Sequence, residues 1–242
     1  MMRISTLAAA ALLLAATLPA AACGQRREQT QTAGRPPVNP DSVLARADAA
    51  RSKGTEGAQV TIVEISDFQC PYCREFAATT YPRIDSAYVR TGRARMVYIN
   101  LPLASHSNAF PAAEAAMCAG AQGRFWQMHD RLFATQREWG SQTDATRRFE
   151  GLAQALQLDM PAYRDCTAAD RTAPLIVNAA MQAAEAGIRG TPAFILVSAA
   201  GQRTLSGAVP FEQFAAEMDA LLSGQPAPAQ SQPPQGATPQ QP

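Results

Sequence analysis

Residues 59–67, QVTIVEISD, alternate apolar with polar positions and are rich in β-branched side chains, which predicts a buried strand. Residues 94–101, ARMVYINL, predict a second strand. Between them, Pro71 to Arg90 shows helical spacing, with Phe76 and Ile84 among its apolar positions. Pro82 inside that stretch predicts a kink or break, because proline removes a helical hydrogen bond. From Ser107 to Gly187 the period changes. Ala112, Ala116, Phe125, Met128, Leu132, Phe149, Leu152 and Leu156 recur at helical intervals, so a block of several helices is predicted, interrupted near Gly140 and Pro161. Strand character returns at Pro192 to Val197 and at Arg203 to Ser206, with Ala200-Gly201 as the turn of a hairpin. Phe211 to Leu222 predicts a final amphipathic helix. Ahead of all this, Ser42 to Arg51 predicts a short helix capped by Asp41 or Ser42 and ended by Gly54 and Gly57.

Strand, helix, strand implies a parallel pair joined by a right-handed crossover. The last two strands imply an antiparallel hairpin. One mixed sheet covered by helices, an α/β fold with the helical block inserted midway, accommodates both.

The two ends read differently. Met1-Met2-Arg3 is a short positive start, Ile4 to Leu18 is apolar, and Ala20-Ala21-Ala22 supplies small residues before Cys23, the order of a secretory signal peptide over residues 1–22. The apolar run stops at Pro19 and is short for a membrane span. Residues 23–57 then hold a polar tether, with three prolines between Gly24 and Pro40, and the short helix. Residues 223–242 are rich in Pro, Gln and Ala, which predicts a disordered tail. The net charge of +1 and the scattered Lys and Arg residues give no reason to expect a nucleic-acid partner.

The chemistry gathers at Cys70-Pro71-Tyr72-Cys73, after a strand and at the start of a helix. A helix start offers unpaired backbone N–H groups and the positive end of the dipole. A thiolate there is stabilised, so Cys70 is expected to be an exposed, acidic nucleophile. Pro71 suits the first helical turn because it has no N–H to lose. Cys73, one turn in and more buried, is expected to resolve the mixed disulfide. The rival reading is half of a zinc site. No second CxxC completes it, and the only histidines, His106 and His129, read as packing or surface residues. No metal or other cofactor is expected. Trp126, Phe125 and Phe133 read as core. Of the five cysteines, two pairs leave one over. On the residues alone, Cys118 and Cys166 are buried free thiols, a structural disulfide if the protein is exported, or a second redox pair, the last disfavoured because neither sits in a CxxC.

VTIVEISDFQCPYC, the loop Gly190-Thr191-Pro192-Ala193-Phe194 and the stretch EAAMCAGAQGRFWQMHDRLF resemble the DsbA-like branch of the thioredoxin superfamily over about residues 58–222. The resemblance implies a thioredoxin-like fold with a mixed central sheet and an inserted helical subdomain at about 107–187. It implies a cis Thr191–Pro192 bond opposite Cys70, presenting backbone groups to an extended substrate segment. It implies that Glu64 lies beneath the active-site disulfide, buried, with a raised pKa and a proton-relay role toward Cys73. On the residues alone Glu64 also fits a solvent-facing position, since Ile62, Glu64 and Ser66 share one face. The resemblance further implies a Cys118–Cys166 bridge. Cys23 resembles the lipidated cysteine of bacterial lipoproteins, although Ala20 replaces the preferred Leu.

These features together predict an exported, lipid-anchored, periplasmic or extracytoplasmic enzyme, monomeric, exchanging disulfides with unfolded or thiol-containing proteins and recharged by a membrane or soluble redox partner. Oxidation is the favoured direction. Tyr72 replaces the His of the most oxidising relatives, and Thr191 resembles isomerase-type relatives, so reductase or isomerase is the runner-up. A redox-inert peptide-binding chaperone module and a lipid-displayed surface scaffold are the readings from other classes.

Overall fold

The structure, a computed structural model, describes residues 40–225. The predicted signal peptide, Cys23, most of the tether and nearly all of the tail lie outside the described residues. Helix α1 (Pro40–Ala50) leads directly into strand β1 (Ser52–Gly54). Strand β2 (Val60–Ser66), helix α2 (Pro71–Thr79), helix α3 (Tyr81–Ile84) and strand β3 (Ala94–Asn100) follow. The helical block comprises α4 (Ala109–Gly120), α5 (Phe125–Ala134), α6 (Gln136–Trp139), α7 (Thr146–Ala155), α8 (Met160–Ala168) and α9 (Ala173–Glu185). Strands β4 (Ala193–Ser198) and β5 (Gly201–Ser206) and helix α10 (Phe211–Leu222) complete the order.

The strands form one sheet in the order β1-β3-β2-β4-β5. β2 runs parallel to β3, with Glu64 opposite Tyr98 and Ser66 opposite Asn100. β4 lies antiparallel to β2 and to β5, and β1 antiparallel to β3. Strand side chains alternate between faces, so register decides which residues share a layer. On one face Ile62, Met96, Phe194 and Leu196 pack with Phe76 of α2 and with Phe214 and Met218 of α10. Phe76 and Phe194 meet with ring centroids 4.4 Å apart. On the other face Val63, Ile65, Ile99 and Ile195 pack with Ala180 and Ala183 of α9.

The helical block has its own core. Helix α4 is buried at nearly every position, and its run of alanines lets α1, α5, α7, α8 and α9 approach it. Trp139, Phe149, Leu152 and Tyr163 fill the space around it. Phe125 and Phe133 are buried in this core, while Trp126 is only half-buried. His129 is 1% exposed and ringed by Phe68, Tyr81, Tyr98, Trp126 and Phe133.

Two local expectations are corrected and a third is met. Gly54 and Gly57 do not end the first helix. The chain leaves it at Ala50, and Ser52–Gly54 forms an edge strand against β3. Gly54 has φ +95°, and a Cβ there would lie 2.6 Å from the Ala94 carbonyl oxygen, so the pairing requires glycine. The hairpin turn is Ala199-Ala200, because Gly201 already pairs with Ser198. The break expected from Pro82 in the stretch 71–90 is present. The helix breaks at Thr80, before Pro82, and after α3 the chain widens into a π turn at Asp85–Val89.

Candidate active site

β2 delivers the chain to the site and α2 carries it away. The turn between them is tied on both sides. Asp67 Oδ1 accepts the Gln69 N–H at 2.7 Å, and its Oδ2 accepts the Leu103 N–H at 2.9 Å and meets His106 Nδ1 at 2.7 Å. Gln136, on α6, donates from Nε2 to the carbonyls of Phe68 at 2.7 Å and Cys70 at 2.9 Å. Gln69 accepts the Asn108 N–H at 2.6 Å and donates to the Gly140 carbonyl at 2.7 Å. The helical block therefore holds the turn in place.

Cys70 caps α2 with an extended backbone, φ −67° and ψ 125°, and Pro71 opens the first turn. Thr191–Pro192 is cis, and Cys70 Sγ donates to the Thr191 carbonyl at 3.3 Å. The structure thus brings Cys70, Cys73, Pro71, Tyr72, Thr191 and Pro192 to one place, with Cys70 and Cys73 as free thiols. The expected exposure of Cys70 is corrected. Only 4% of it is open, because the Thr191 carbonyl lies against its sulfur, and Tyr72 is the exposed member of the motif at 62%. Two open clefts flank it. One, of about 660 Å³, is lined by Pro71, Tyr72, Arg74, Glu75, Phe133 and Arg137. The other, of about 340 Å³, is lined by residues including Ile188, Gly190, Thr191, Pro192 and Ser206.

The two thiols are driven apart electrostatically. The Cys73 thiol donates toward Cys70 and is the largest influence lowering the Cys70 pKa to about 5. The Thr191 side chain and the backbone N–H groups of Cys73 and Tyr72 lower it further, against the cost of burial. Cys73 moves the other way. Burial raises it well above the ordinary thiol value, and the neighbouring Cys70 adds to that. Cys70 is the group poised to ionise, and Cys73 holds its proton.

Glu64 lies on the buried face of β2, 1% exposed. The solvent-facing alternative is thereby corrected, since Ile62 and Ser66 on the same face are buried too. Burial raises its pKa to about 7, against the lowering effects of Ser66 and Lys53. Cys118 and Cys166 are bonded, with Cα atoms 5.8 Å apart, joining α4 to α8 far from the CPYC turn in sequence. Among the described residues no three His, Cys, Asp or Glu side chains converge as metal ligands. Sequence reasoning missed Asp67, Gln136 and Ser66. Ser66 had a signal, two positions after Glu64 on the same strand face. Gln136 had none, because its partners are backbone carbonyls 66 and 68 positions away.

A family model described as thioredoxin matches residues 47–220. Among curated relatives, a Na(+)/H(+) antiporter NhaA 1 of Salinispora arenicola is 36% identical over 161 residues, 66% of this chain and 22% of that protein. A probable disulfide bond formation protein D of Bacillus anthracis is 33% identical over 89 residues, 36% of this chain and 41% of that protein. The chain thus spans about a fifth of the antiporter it matches and less than half of the second relative. Among solved structures, Wolbachia pipientis alpha-DsbA1 matches with a TM-score of 0.64 at 20% identity, covering 72% of this chain and 92% of that one. BdbD from Bacillus subtilis in its oxidised form matches at 0.65 and 18%, covering 72% and 92%. A thioredoxin-like oxidoreductase from Silicibacter pomeroyi matches at 0.57 and 26%, covering 75% and 96%. With the family model spanning most of the chain and those structures sharing its sheet and its inserted helices, the chain belongs to the thioredoxin family and has the fold of the DsbA-like proteins.

Proposed function

We propose that this protein is a thiol–disulfide oxidoreductase acting on protein thiols through Cys70 and Cys73, and that it runs as an oxidase. The observation that carries the reading is Cys70 Sγ set 3.3 Å from the Thr191 carbonyl, with the Cys73 thiol buried behind it. In the oxidising direction a substrate thiolate attacks Cys70 Sγ of the Cys70–Cys73 disulfide. A mixed disulfide joins substrate to Cys70, and Cys73 leaves with the electron pair and takes a proton. A second substrate thiolate then attacks the substrate sulfur of that bond. A disulfide forms in the substrate and Cys70 leaves as thiolate. A separate redox partner must reoxidise the pair.

The acidity of Cys70 supports the direction. A stabilised thiolate favours the reduced pair, and that makes the disulfide a stronger oxidant. Tyr72 supplies no cation, so this acidity draws on Cys73, Thr191 and the helix-start backbone instead. The Cys118–Cys166 bridge and the Met1–Ala22 pattern support export to an oxidising compartment, with Cys23 as the lipid attachment point. The backbone beside Pro192 is the expected seat of an extended substrate segment.

Equilibration of the Cys70–Cys73 couple with glutathione tests the direction. A potential near that of DsbA, among the strongest oxidants of this chemistry, supports the oxidase; one near thioredoxin overturns it in favour of a reductase. Cys73→Ser should accumulate mixed disulfides with protein thiols through Cys70. A Cys70→Ser protein that still exchanges disulfides at the wild-type rate would remove the enzymatic reading altogether.

A further inference from the structure

Ser66 closes β2 with 1% of its surface exposed. Around it lies a layer of polar atoms with no partner. Both carboxylate oxygens of Glu64, the hydroxyls of Ser66 and Tyr98, and Asn100 Oδ1 are buried without a hydrogen bond among the described residues. The register explains why they share a layer, since Glu64 pairs with Tyr98 and Ser66 with Asn100 across parallel strands. Buried polar atoms are ordinarily satisfied, so five unpaired atoms in one layer call for a function or for trapped water. Cys73 is fully buried in the same core cluster as Tyr98.

Burial sets the main shift of Glu64, Cys73 and Tyr98, and against it the Ser66 hydroxyl lowers all three. It shares the strand face of Glu64 and is locked to no partner. A hydroxyl can accept one proton while giving up its own. Other charged or titratable groups bear on the cluster. Lys53 of β1 attracts the Glu64 charge, Tyr81 of α3 and Tyr98 of β3 feel it, and Asp67 acts on Tyr98. Cys70 and the Thr191 side chain act on Cys73. His129 of α5, its own pKa lowered by burial, packs on Tyr98. From β4 the residue opposite Glu64 is Phe194, which carries no charge.

We propose that Ser66 is a proton relay between Cys73 and Glu64, which deepens the exchange reading and rests on it. As Cys73 attacks a mixed disulfide on Cys70, its thiol proton passes to Ser66 Oγ, and the Ser66 proton passes to the Glu64 carboxylate. The Cys70–substrate bond breaks, the Cys70–Cys73 bond forms, and the substrate leaves as thiolate. In the oxidising direction the same path runs backward. Protonated Glu64 returns a proton through Ser66 to the departing Cys73 thiolate, which keeps that leaving group from re-closing the disulfide.

Threonine and valine have nearly the same shape and differ by the hydroxyl, so Ser66→Thr and Ser66→Val isolate it. The readout is the second phase of thionitrobenzoate release after Cys70 reacts with the aromatic disulfide dithiobis(nitrobenzoate), in a full-length Cys23→Ser background, followed across pH. In wild type and Ser66→Thr the resolving rate should rise through an inflection near 7, the ionisation of Glu64. Ser66→Val should lose that inflection and resolve roughly 10- to 100-fold more slowly at neutral pH. One profile for Thr and Val overturns the relay and leaves the exchange reading intact. A wild-type protein that never releases the second thionitrobenzoate overturns both. If the branched residues prevent folding, Ser66→Ala combined with Glu64→Gln decides. Members of one relay give a double variant no slower than the slower single one, whereas multiplied effects overturn the proposal.

Discussion

The two described cysteine pairs obey opposite rules. Cys118 and Cys166 are separated by 48 positions, buried between helices and bonded. Cys70 and Cys73 sit within one helical turn, and their thiols are free. The first pair closes a long loop and restrains the unfolded chain. The second closes almost none and restrains little. What distinguishes it is environment: a helix start, the Thr191 side chain and a thiol neighbour push one sulfur toward ionisation. Nearly equal burial therefore accompanies opposite roles, and accessible surface alone would misclassify Cys70.

The largest expected effect concerns the bridge. Replacing both Cys118 and Cys166 with Ala should lower the unfolding free energy by about 4 kcal/mol in denaturant melts. Exchange through Cys70 should be unchanged in the folded fraction. Lost exchange without lost stability would break the division of roles.

Next is the pH dependence of the active-site region, read on the oxidised protein. Glu64 has a folded pKa of about 7 against an ordinary 4.5. The folded state then binds more proton between those values, so stability falls as pH rises from 4.5 to 7, by about 3 kcal/mol from this group. Glu64→Gln should flatten that slope in melts across the range. The dithiol form adds a slope of the other sign. Cys70 has a folded pKa of about 5 against an ordinary 9.0, so its contribution is full above 9.0 and lost as pH falls toward 5.

Gln136 probes how independent the two regions are. Gln136→Ala leaves the Phe68 and Cys70 carbonyls without this donor and should cost about 1–3 kcal/mol. It should also speed hydrogen exchange of the Cys70 and Arg74 amides. Unchanged amides would show that the turn holds its shape without the helical block. The smallest effect is expected at Tyr72, which is mostly exposed. Tyr72→His should lower the Cys70 pKa when the imidazole is charged, visible in thiolate absorbance. It should move unfolding by no more than about 0.5 kcal/mol.

Much of this was legible in the chain. The alternating run ending at Ser66 locates β2, and Cys70-Pro71-Tyr72-Cys73 locates the turn, because both signals are local. The Thr191-Pro192 dipeptide is conspicuous before an apolar strand. β1 was invisible, since Ser52-Lys53-Gly54 has no period of its own and is a strand only because β3 offers an edge. The π turn at Asp85–Val89 was invisible too, because its widened bonding leaves no compositional mark. The burial of Cys70 depends on a carbonyl 121 positions away. The ties from Gln136, Asp67 and Gln69 likewise join segments that meet only after the block has packed.

The sheet's outer strands have a further consequence. β1 spans three residues, and β5 turns Gln202, Thr204 and Ser206 to solvent. An abbreviated strand on one flank and a polar one on the other make poor templates for cross-chain ladders. If the proposed exchange with unfolded proteins holds, such edges would keep the enzyme from growing into fibrils with its own clients and would leave contact with them to the strip of main chain beside the sulfur.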